Sequence, residues 1–155
     1  MASAHDHDHS HANADELTAK AKDVLIASSE QWTAMREAVF AQLARHHGPT
    51  SAYQIADDLS QMRSKRVAPN SVYRILDLFV AHGLAVKIES ANAFIANAHP
   101  GEVHDCVFLV CDACGGADHV DSEDIGHALR SIADAQSFQA ERPVLEIRGI
   151  CKECN

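Results

Sequence analysis

Residues 70–88 read NSVYRILDLFVAHGLAVKI, and two different periodicities follow one another in this stretch. In its first part, apolar residues recur at helical spacing and predict a helix that begins at Asn70 or Ser71 and buries one face. Gly83 lies where the C-terminal cap of that helix is expected. From Leu84 to Ile88, apolar and more polar residues alternate, which predicts a strand, and a second short strand is expected around residues 94–95.

Three more helices are predicted before this stretch. Residues 15–31 and 33–46 have helical apolar spacing, and Ser51 opens a third helix as a capping box with Gln54. Helices followed by a hairpin are the order of a winged helix-turn-helix, in which the helix before the hairpin enters the DNA major groove. A protein-interaction module with the same element order is the alternative that the sequence leaves open.

Seven residues at and before the start of the fourth helix have the chemistry of DNA contacts. Basic residues are concentrated between residues 63 and 74, without an acidic residue, in a chain whose formal net charge is -9. That charge argues against indiscriminate binding to phosphates, whereas one basic edge is compatible with binding to specific DNA. The candidates are Arg63, Lys65, Arg66, Asn70, Ser71, Tyr73 and Arg74. A solvated loop and, for Tyr73, packing on the hairpin are the structural alternatives.

A second domain is expected after residue 105. Residues 97–105 lack periodicity and contain a proline and a glycine, which predicts a hinge. Beyond the hinge, a helix capped by Ser122 is predicted, together with strands at residues 107–110, 117–120, 138–142 and 144–148. We therefore predict an α+β fold with a winged helix-turn-helix DNA-binding domain at residues 15–96 and a small α/β dimerisation domain at residues 106–155. The small core of the second domain favours subunit pairing.

Four of the five cysteines form two CxxC pairs, Cys111/Cys114 and Cys151/Cys154. Each spacing allows two thiolates to converge on one tetrahedral ion, and two pairs together indicate a closed four-thiolate zinc site. Such a site has no open coordination position, so its expected role is structural. A pair of redox thiols, and with it a thiol oxidoreductase, is the alternative.

A second group of metal-binding residues flanks the hinge: His99, His104, Cys106 and His119. Mixed imidazole and thiolate ligands suit zinc better than iron(II) or manganese(II), which prefer more oxygen ligands. The group as a whole predicts a regulatory zinc site, whereas each histidine taken alone is better interpreted as a surface residue.

Residues 1–14 are predicted to be a disordered tail in which four histidines alternate with small or acidic residues. Such a tract binds divalent metal weakly. No apolar run reaches the roughly 18 residues of a membrane span, and the first ten residues are unlike a signal sequence, so a cytoplasmic location is expected. The sequence contains no set of nucleophile, base and orienting residue, which argues against an enzyme and against a small-molecule substrate.

Four segments together resemble the ferric-uptake-regulator superfamily. They are SVYRIL at residues 71–76, HGL at residues 82–84, FLVCDACG at residues 108–115 and GICKEC at residues 149–154. The resemblance spans roughly residues 33–154. Two further segments, TSAY at residues 50–53 and KIESANAF at residues 87–94, look most like the zinc uptake regulator branch of that superfamily.

The resemblance implies a homodimer that represses zinc-uptake genes, with zinc as corepressor and palindromic, A·T-rich double-stranded operator DNA as partner. It also implies one structural zinc per subunit at the four cysteines and at least one regulatory zinc per subunit at the hinge. A sensor of iron, manganese or peroxide from the same superfamily is one alternative, and a zinc-buffering protein is another.

Residue by residue, the resemblance is incomplete at the regulatory site. His104 matches a regulatory histidine, and His119 stands where the family usually has an acidic ligand. Val86 stands where the wing often has a histidine, and the cysteine often found just before the hinge is missing near Asn97. His99 and Cys106 are the substitutes that the sequence offers.

Overall fold

The computed structural model describes residues 14–46, 48–102, 105–141 and 143–155, and its elements form two units. The N-terminal unit contains α1 (Ala14–Ala27), α2 (Ala34–Arg45), α3 (Ala52–Arg63), α4 (Pro69–Ala81), β1 (Ala85–Ile88), a 3-10 turn (Glu89–Ala91) and β2 (Ala93–Ala96). The C-terminal unit contains β3 (Cys106–Cys111), β4 (Ala117–Asp121), α5 (Glu123–Ala135) and β5 (Glu146–Gly149).

This architecture confirms the predicted α+β class, with a winged helix before a small α/β unit. Within the described ranges, no helix has the length and apolar character to cross a membrane. The predicted tail lies outside the described residues except for Ala14.

The core of the N-terminal unit is formed by the apolar faces of its helices and its hairpin. Phe40, Phe79 and Phe94 are fully buried, and the rings of Phe40 and Phe79 meet edge to face with their centroids 5.5 Å apart. Val72 and Leu76 of the predicted α4 stripe are also fully buried. Packing on this face leaves the opposite face of α4 to solvent, where Asn70, Ser71 and Arg74 are exposed.

Side-chain hydroxyl groups cap the N-termini of two helices. Thr33 accepts the N–H of Arg36 at 3.2 Å, and Ser51 accepts the N–H of Gln54 at 3.1 Å. The predicted capping box is therefore half formed, because the side chain of Gln54 donates to Asp58 at 2.8 Å instead.

The C-terminal unit is a three-stranded sheet in which β3 lies between β4 and β5. β4 is antiparallel to β3, with Cys106 opposite Asp121 and Phe108 opposite His119. β5 is parallel to β3, with Phe108 beside Glu146. Among the described residues, the buried apolar side chains of this unit are Val107, Val110 and Cys111. Its core is therefore as small as the sequence predicts.

The first helix is shorter than predicted. It ends at Ala27 instead of residue 31, because Ser29 adopts a left-handed conformation with φ 63°. The N–H of Glu30 then returns to the carbonyl of Leu25 at 3.2 Å and closes the helix end.

The predicted strand at residues 138–142 is wrong where the structure describes it, at residues 138–141. Ser137 is left-handed with φ 53°, and the N–H of Phe138 donates to the carbonyl of Ala133 at 2.9 Å. This segment therefore terminates α5 instead of pairing with a strand. The strand predicted at residues 144–148 is present as β5 but begins at Glu146.

Candidate metal centres and nucleic-acid interface

The four cysteines of the CxxC pairs come together at one end of the sheet. Cys111 is the last residue of β3 and Cys151 follows β5 by two residues, so the parallel pairing of these strands brings the two pairs side by side. Their four Sγ atoms lie within 4.8 Å of one another, and the Sγ atoms of Cys114 and Cys151 are 4.0 Å apart. Thiolates about 2.3 Å from a tetrahedral ion are about 3.8 Å apart, so this donor set fits zinc after a small contraction.

Backbone contacts hold the first CxxC pair against the segment of the second. Gly115 has φ 73°, which places its N–H on the carbonyl of Cys111 at 2.9 Å. The N–H of Asp112 donates to the carbonyl of Gly149 at 2.8 Å, and Nε of Arg148 donates to the Asp112 carboxylate at 2.8 Å. The end of β5 is therefore attached to the turn that carries the first pair.

The thiols of this group differ in acidity. Hydrogen bonds from the backbone N–H groups of Cys151, Cys114 and Ala113 lower the pKa of Cys111 to about 6. Hydrogen bonds to Cys151 and Cys114, with burial and the neighbouring Cys111, raise the pKa of Cys154 to about 12. Four adjacent thiols resist full ionisation, and a divalent cation would stabilise all four thiolates at once.

The proposed regulatory ligands lie around the start of the sheet. Cys106 begins β3 and His119 lies opposite Phe108, so Cys106 and His119 are diagonal neighbours on one sheet face. His99 is exposed and precedes β3, while His104 lies outside the described residues. In the described ranges, the four-cysteine group is the one set of three or more metal-ligating side chains that converges. The structure therefore does not bring His99, Cys106 and His119 to a common point.

Asp121 lies on the same face as Cys106 and His119. The Cys106 thiol donates to Oδ1 of Asp121 at 3.2 Å. Burial, with this hydrogen bond and the nearby carboxylates, raises the pKa of Cys106 to about 12. Asp121 was not predicted from the sequence, although its i, i+2 spacing from His119 places both on one face of a strand.

A cavity of about 360 Å³ lies between the two units and is lined by residues of both. Its lining includes Val86 and Asn97, which mark two of the places where the chain departs from the family pattern. Cys106 lines the same cavity. Cys106, proposed as a substitute ligand, therefore borders the same cavity as Val86 and Asn97.

The beginning of the predicted hinge is attached to the N-terminal unit. Nδ2 of Asn97 donates to the carbonyls of Gly83 at 2.8 Å and Glu102 at 3.0 Å. The N–H of Gly101 also donates to the Gly83 carbonyl, at 3.1 Å. Residues 97–102 are therefore bound to the turn between α4 and β1.

The end of the predicted hinge is attached to α5. Asp105 forms a bidentate ion pair with Arg130, with N to O distances of 3.0 and 2.5 Å. Its carbonyl accepts the N–H of Ser122 at 3.0 Å, and the side chain of Ser122 does not make the predicted capping bond. Asp105 packs so closely over Gly126 that a Cβ atom there would overlap its carboxylate. These contacts were not predicted from the sequence.

The candidate DNA-binding residues surround the start of α4. The helix begins at Pro69, one residue before the predicted start, because proline at the first helical position already has a helical φ. Ala68 provides no side-chain cap, and its carbonyl accepts the N–H of Ser71 at 3.0 Å. The candidates that are exposed around this end are Arg63, Lys65, Arg66, Asn70, Ser71 and Arg74.

Tyr73 differs from the other candidates because it packs on the hairpin. Its ring lies edge to face against Tyr53 of α3 and Phe94 of β2, with centroids 6.0 and 6.3 Å apart. Its hydroxyl accepts Nδ2 of Asn92 at 3.2 Å. Tyr73 therefore has the packing role that the sequence offered as an alternative. Its half-buried ring also borders the exposed end of α4.

The C-terminal unit exposes most of the large apolar side chains that the described residues present to solvent. They are Leu109, Val120, Ile125, Ile132, Phe138, Val144, Ile147 and Ile150, each between 41% and 66% exposed. An apolar surface of this extent on a unit with a small core is typical of an interface.

The chain matches the model of the ferric uptake regulator family over residues 27–148. It is 26% identical over 140 residues to a zinc uptake regulation protein of Escherichia coli (strain K12), covering 90% of this chain and 81% of that protein. Its structure is similar to that of a zinc uptake regulator complexed with zinc and DNA, with a TM-score of 0.84, 26% identity and coverage of 92% and 95% of the two chains.

XcZur provides a comparison in two states. Its holo form matches with a TM-score of 0.79 and 32% identity, covering 91% of this chain and 97% of that chain. Its apo form matches with a TM-score of 0.53 over the same shares of both chains. The structure of this chain is therefore closer to the holo form than to the apo form.

Proposed function

Because this chain belongs to the ferric uptake regulator family, and within it to the zinc uptake regulator branch, we propose that it is a zinc-responsive transcriptional repressor. It would bind operator DNA as a homodimer when zinc is present and repress zinc-uptake genes. The observation that carries this proposal is the similarity of both units together to a zinc- and DNA-bound relative, over 92% of the chain.

The structural zinc of this proposal belongs to Cys111, Cys114, Cys151 and Cys154. Its support is the convergence of the four Sγ atoms within 4.8 Å and the all-sulfur donor set. An ion bound there supplies a crosslink between the end of β3 and the segment after β5. A unit whose described residues include three buried apolar side chains would gain much of its order from such a crosslink.

The regulatory zinc belongs, in this proposal, to His99, His104, Cys106 and His119. The support is the shared sheet face of Cys106 and His119 and the position of Cys106 on the cavity between the units. Cys106 must lose its proton before it can ligate a metal, so binding at this site is expected to weaken in acid. The hydrogen bond to Asp121 holds that proton on the thiol, so an ion that binds there must displace it.

DNA recognition is assigned to the start of α4. Asn70, Ser71, Tyr73 and Arg74 would approach base edges and phosphates in the major groove, while Arg63, Lys65 and Arg66 would contact the flanking backbone. The exposed apolar surface of the C-terminal unit supports pairing of two subunits, which would present two α4 helices to a palindromic operator.

Repression would follow from a shift in population. In the absence of regulatory zinc the two units sample many arrangements, and few match both half-sites. When the hinge ligands close on an ion, the arrangement seen here predominates, and a coupling of about 3 kcal/mol changes DNA affinity on the order of a hundredfold. This mode of action requires binding alone and no catalysis, and we place the protein in the cytoplasm with its DNA target.

The test is a mobility shift with the duplex that the zinc-loaded protein selects from a random pool. We expect binding to rise on the order of a hundredfold with buffered free zinc, and His104→Ala and Cys106→Ser to lose most of that rise. If iron(II) or manganese(II) drives binding at cellular free concentrations and zinc does not, the zinc assignment is wrong. Failure to select any duplex would reject the repressor assignment itself.

A further inference from the structure

The 3-10 turn at the tip of the hairpin, Glu89–Ala91, is hereafter the wing turn, and a residue of the C-terminal unit caps it. Oε1 of Glu146 accepts the N–H of Glu89 at 2.6 Å, and Oε2 accepts the N–H of Ser90 at 3.0 Å. Ile88, at the N-cap position of the turn, has no side-chain hydrogen bond to offer. The first N–H groups of a helical turn have no partner within the turn, so Glu146 meets this requirement from 57 residues away.

The carboxylate is ionised when it makes these contacts. Burial opposes ionisation, but the hydrogen bonds from Ser90 and Glu89 and the charge of Arg148 outweigh it and hold the pKa of Glu146 below its ordinary value. Hydrogen bonds from N–H groups to a carboxylate are stronger than those to a neutral acceptor. A glutamine at this position would lose that charge and could accept through one atom only.

Glu146 also occupies a fixed place in the C-terminal unit. It begins β5, lies beside Phe108 in the register with β3, and is followed by Arg148, which binds Asp112 of the first CxxC pair. The strand then leads directly to Cys151. The carboxylate that reaches the wing turn is thus carried by the strand that leads into the four-cysteine site.

This contact spans the two units in an arrangement that resembles the holo form of XcZur more than its apo form. The two hydrogen bonds of this contact do not involve Val86, which stands where the wing often has a histidine. The bond joins a side chain of one unit to the backbone of the other, so it forms only when the wing turn lies over β5.

We propose that Glu146 is a positioning residue: its carboxylate latches the wing turn to β5 and favours the arrangement of the two units that fits operator DNA. This role rests on the proposed function, because the latch matters to a regulator through the separation of its two DNA-reading helices. The hinge ligands and the latch then act on the same equilibrium, and Cys106 and Glu146 both line the cavity.

The test compares the full-length, zinc-loaded parent with Glu146→Gln, Glu146→Asp and, as a matched control, Glu141→Gln. Glu141→Gln removes the same charge from the exposed segment before β5. Zinc content and melting temperature show whether each variant is folded. Hydrogen exchange of the Glu89 and Ser90 amides reports the latch directly, and a mobility shift on the duplex selected by the parent reports positioning.

We expect the Glu89 and Ser90 amides to exchange at least tenfold faster in Glu146→Gln and Glu146→Asp than in the parent, with unchanged zinc content. Operator binding should weaken about tenfold in both variants, a loss of about 1.4 kcal/mol. Glu141→Gln should match the parent in both measurements.

Parent-like exchange in the two Glu146 variants would overturn the latch, and faster exchange with parent-like operator affinity would overturn its positioning role. Failure of the parent to bind any duplex with zinc would instead reject the proposed function. The exchange measurement needs no DNA, so it would still decide whether the latch exists.

Discussion

Asp105 shows how one side chain can fix the end of a connecting segment. Its carboxylate meets both terminal nitrogens of Arg130, its carbonyl accepts the N–H of Ser122, and Gly126 leaves the space in which it lies. The hydrogen bonds from Arg130 outweigh burial and hold the pKa of Asp105 below its ordinary value. Stabilisation from this pair is therefore complete above the unfolded-state pKa, about 3.9, and is lost as the pH falls through the lower folded-state value.

Asp105→Asn keeps the shape of the side chain and removes its charge. We expect the melting temperature to fall by about 2–4 °C at pH 7, with the difference from the parent shrinking towards zero below about pH 4. Asp124→Asn on the exposed side of α5 is the control and should differ little from the parent at either pH. A difference that persists unchanged in acid would contradict the assigned role of the charge.

Spacing along the chain was enough to predict functional residues that lie together in a short sequence motif. The four cysteines were found because two CxxC pairs in one chain match the ligand spacing of a tetrahedral metal site, which few unrelated patterns share. Glu146 and Asp105 were missed because each acts on a backbone or a side chain far along the chain, and a lone carboxylate has no distinctive spacing. Only the packing of the two units and of α5 on the sheet brings their partners within reach.

At the level of elements, α5 carries a glycine in its middle for a steric reason. Gly126 is buried, and an added Cβ would overlap the Asp105 carboxylate. Glycine within a helix normally costs about 1 kcal/mol relative to alanine. The packing of the connecting segment on α5 offsets this cost.

Gly126→Ala should therefore destabilise the protein, although helix propensity alone predicts the reverse. We expect the melting temperature to fall by about 2–4 °C, because the methyl group displaces Asp105 from Arg130. Ala128→Gly, at an exposed position of the same helix, measures the propensity effect alone. A higher melting temperature for Gly126→Ala would show that Asp105 moves aside without cost.

Element prediction succeeded where an apolar face was long and failed at element ends. The α4 stripe fixed that helix to within a residue of its observed start at Pro69. The failed strand at residues 138–142 follows a helix end in which Ser137, a non-glycine residue, is left-handed. Periodicity does not report such a turn, because the turn depends on the backbone hydrogen bonds that close α5.

At the level of the whole molecule, the C-terminal unit presents its apolar side chains outwards. Ile147 of β5 is 57% exposed, and β5 is an edge strand of its sheet. Such an edge with apolar side chains is a site at which a second subunit can pack.

Ile147→Asp should weaken dimerisation at least tenfold, because a buried unpaired carboxylate opposes association. Ile26→Asp is the matched control, since Ile26 is 51% exposed but belongs to α1 of the other unit. Sedimentation of both zinc-loaded variants over a range of concentrations gives the dissociation constants. Equal dimerisation of the two variants would place the subunit interface elsewhere.

The aromatic contacts of Tyr73 with Tyr53 and Phe94 pack α3, α4 and β2 together as one body. A body of this kind cannot bend to follow a half-site that has moved. One base pair inserted at the centre of a palindrome rotates one half about the DNA axis by roughly 34–36° relative to the other. Binding should therefore depend on the spacing of the two half-sites as well as on their base sequence. We expect a small change in spacing to weaken binding as strongly as a change in sequence.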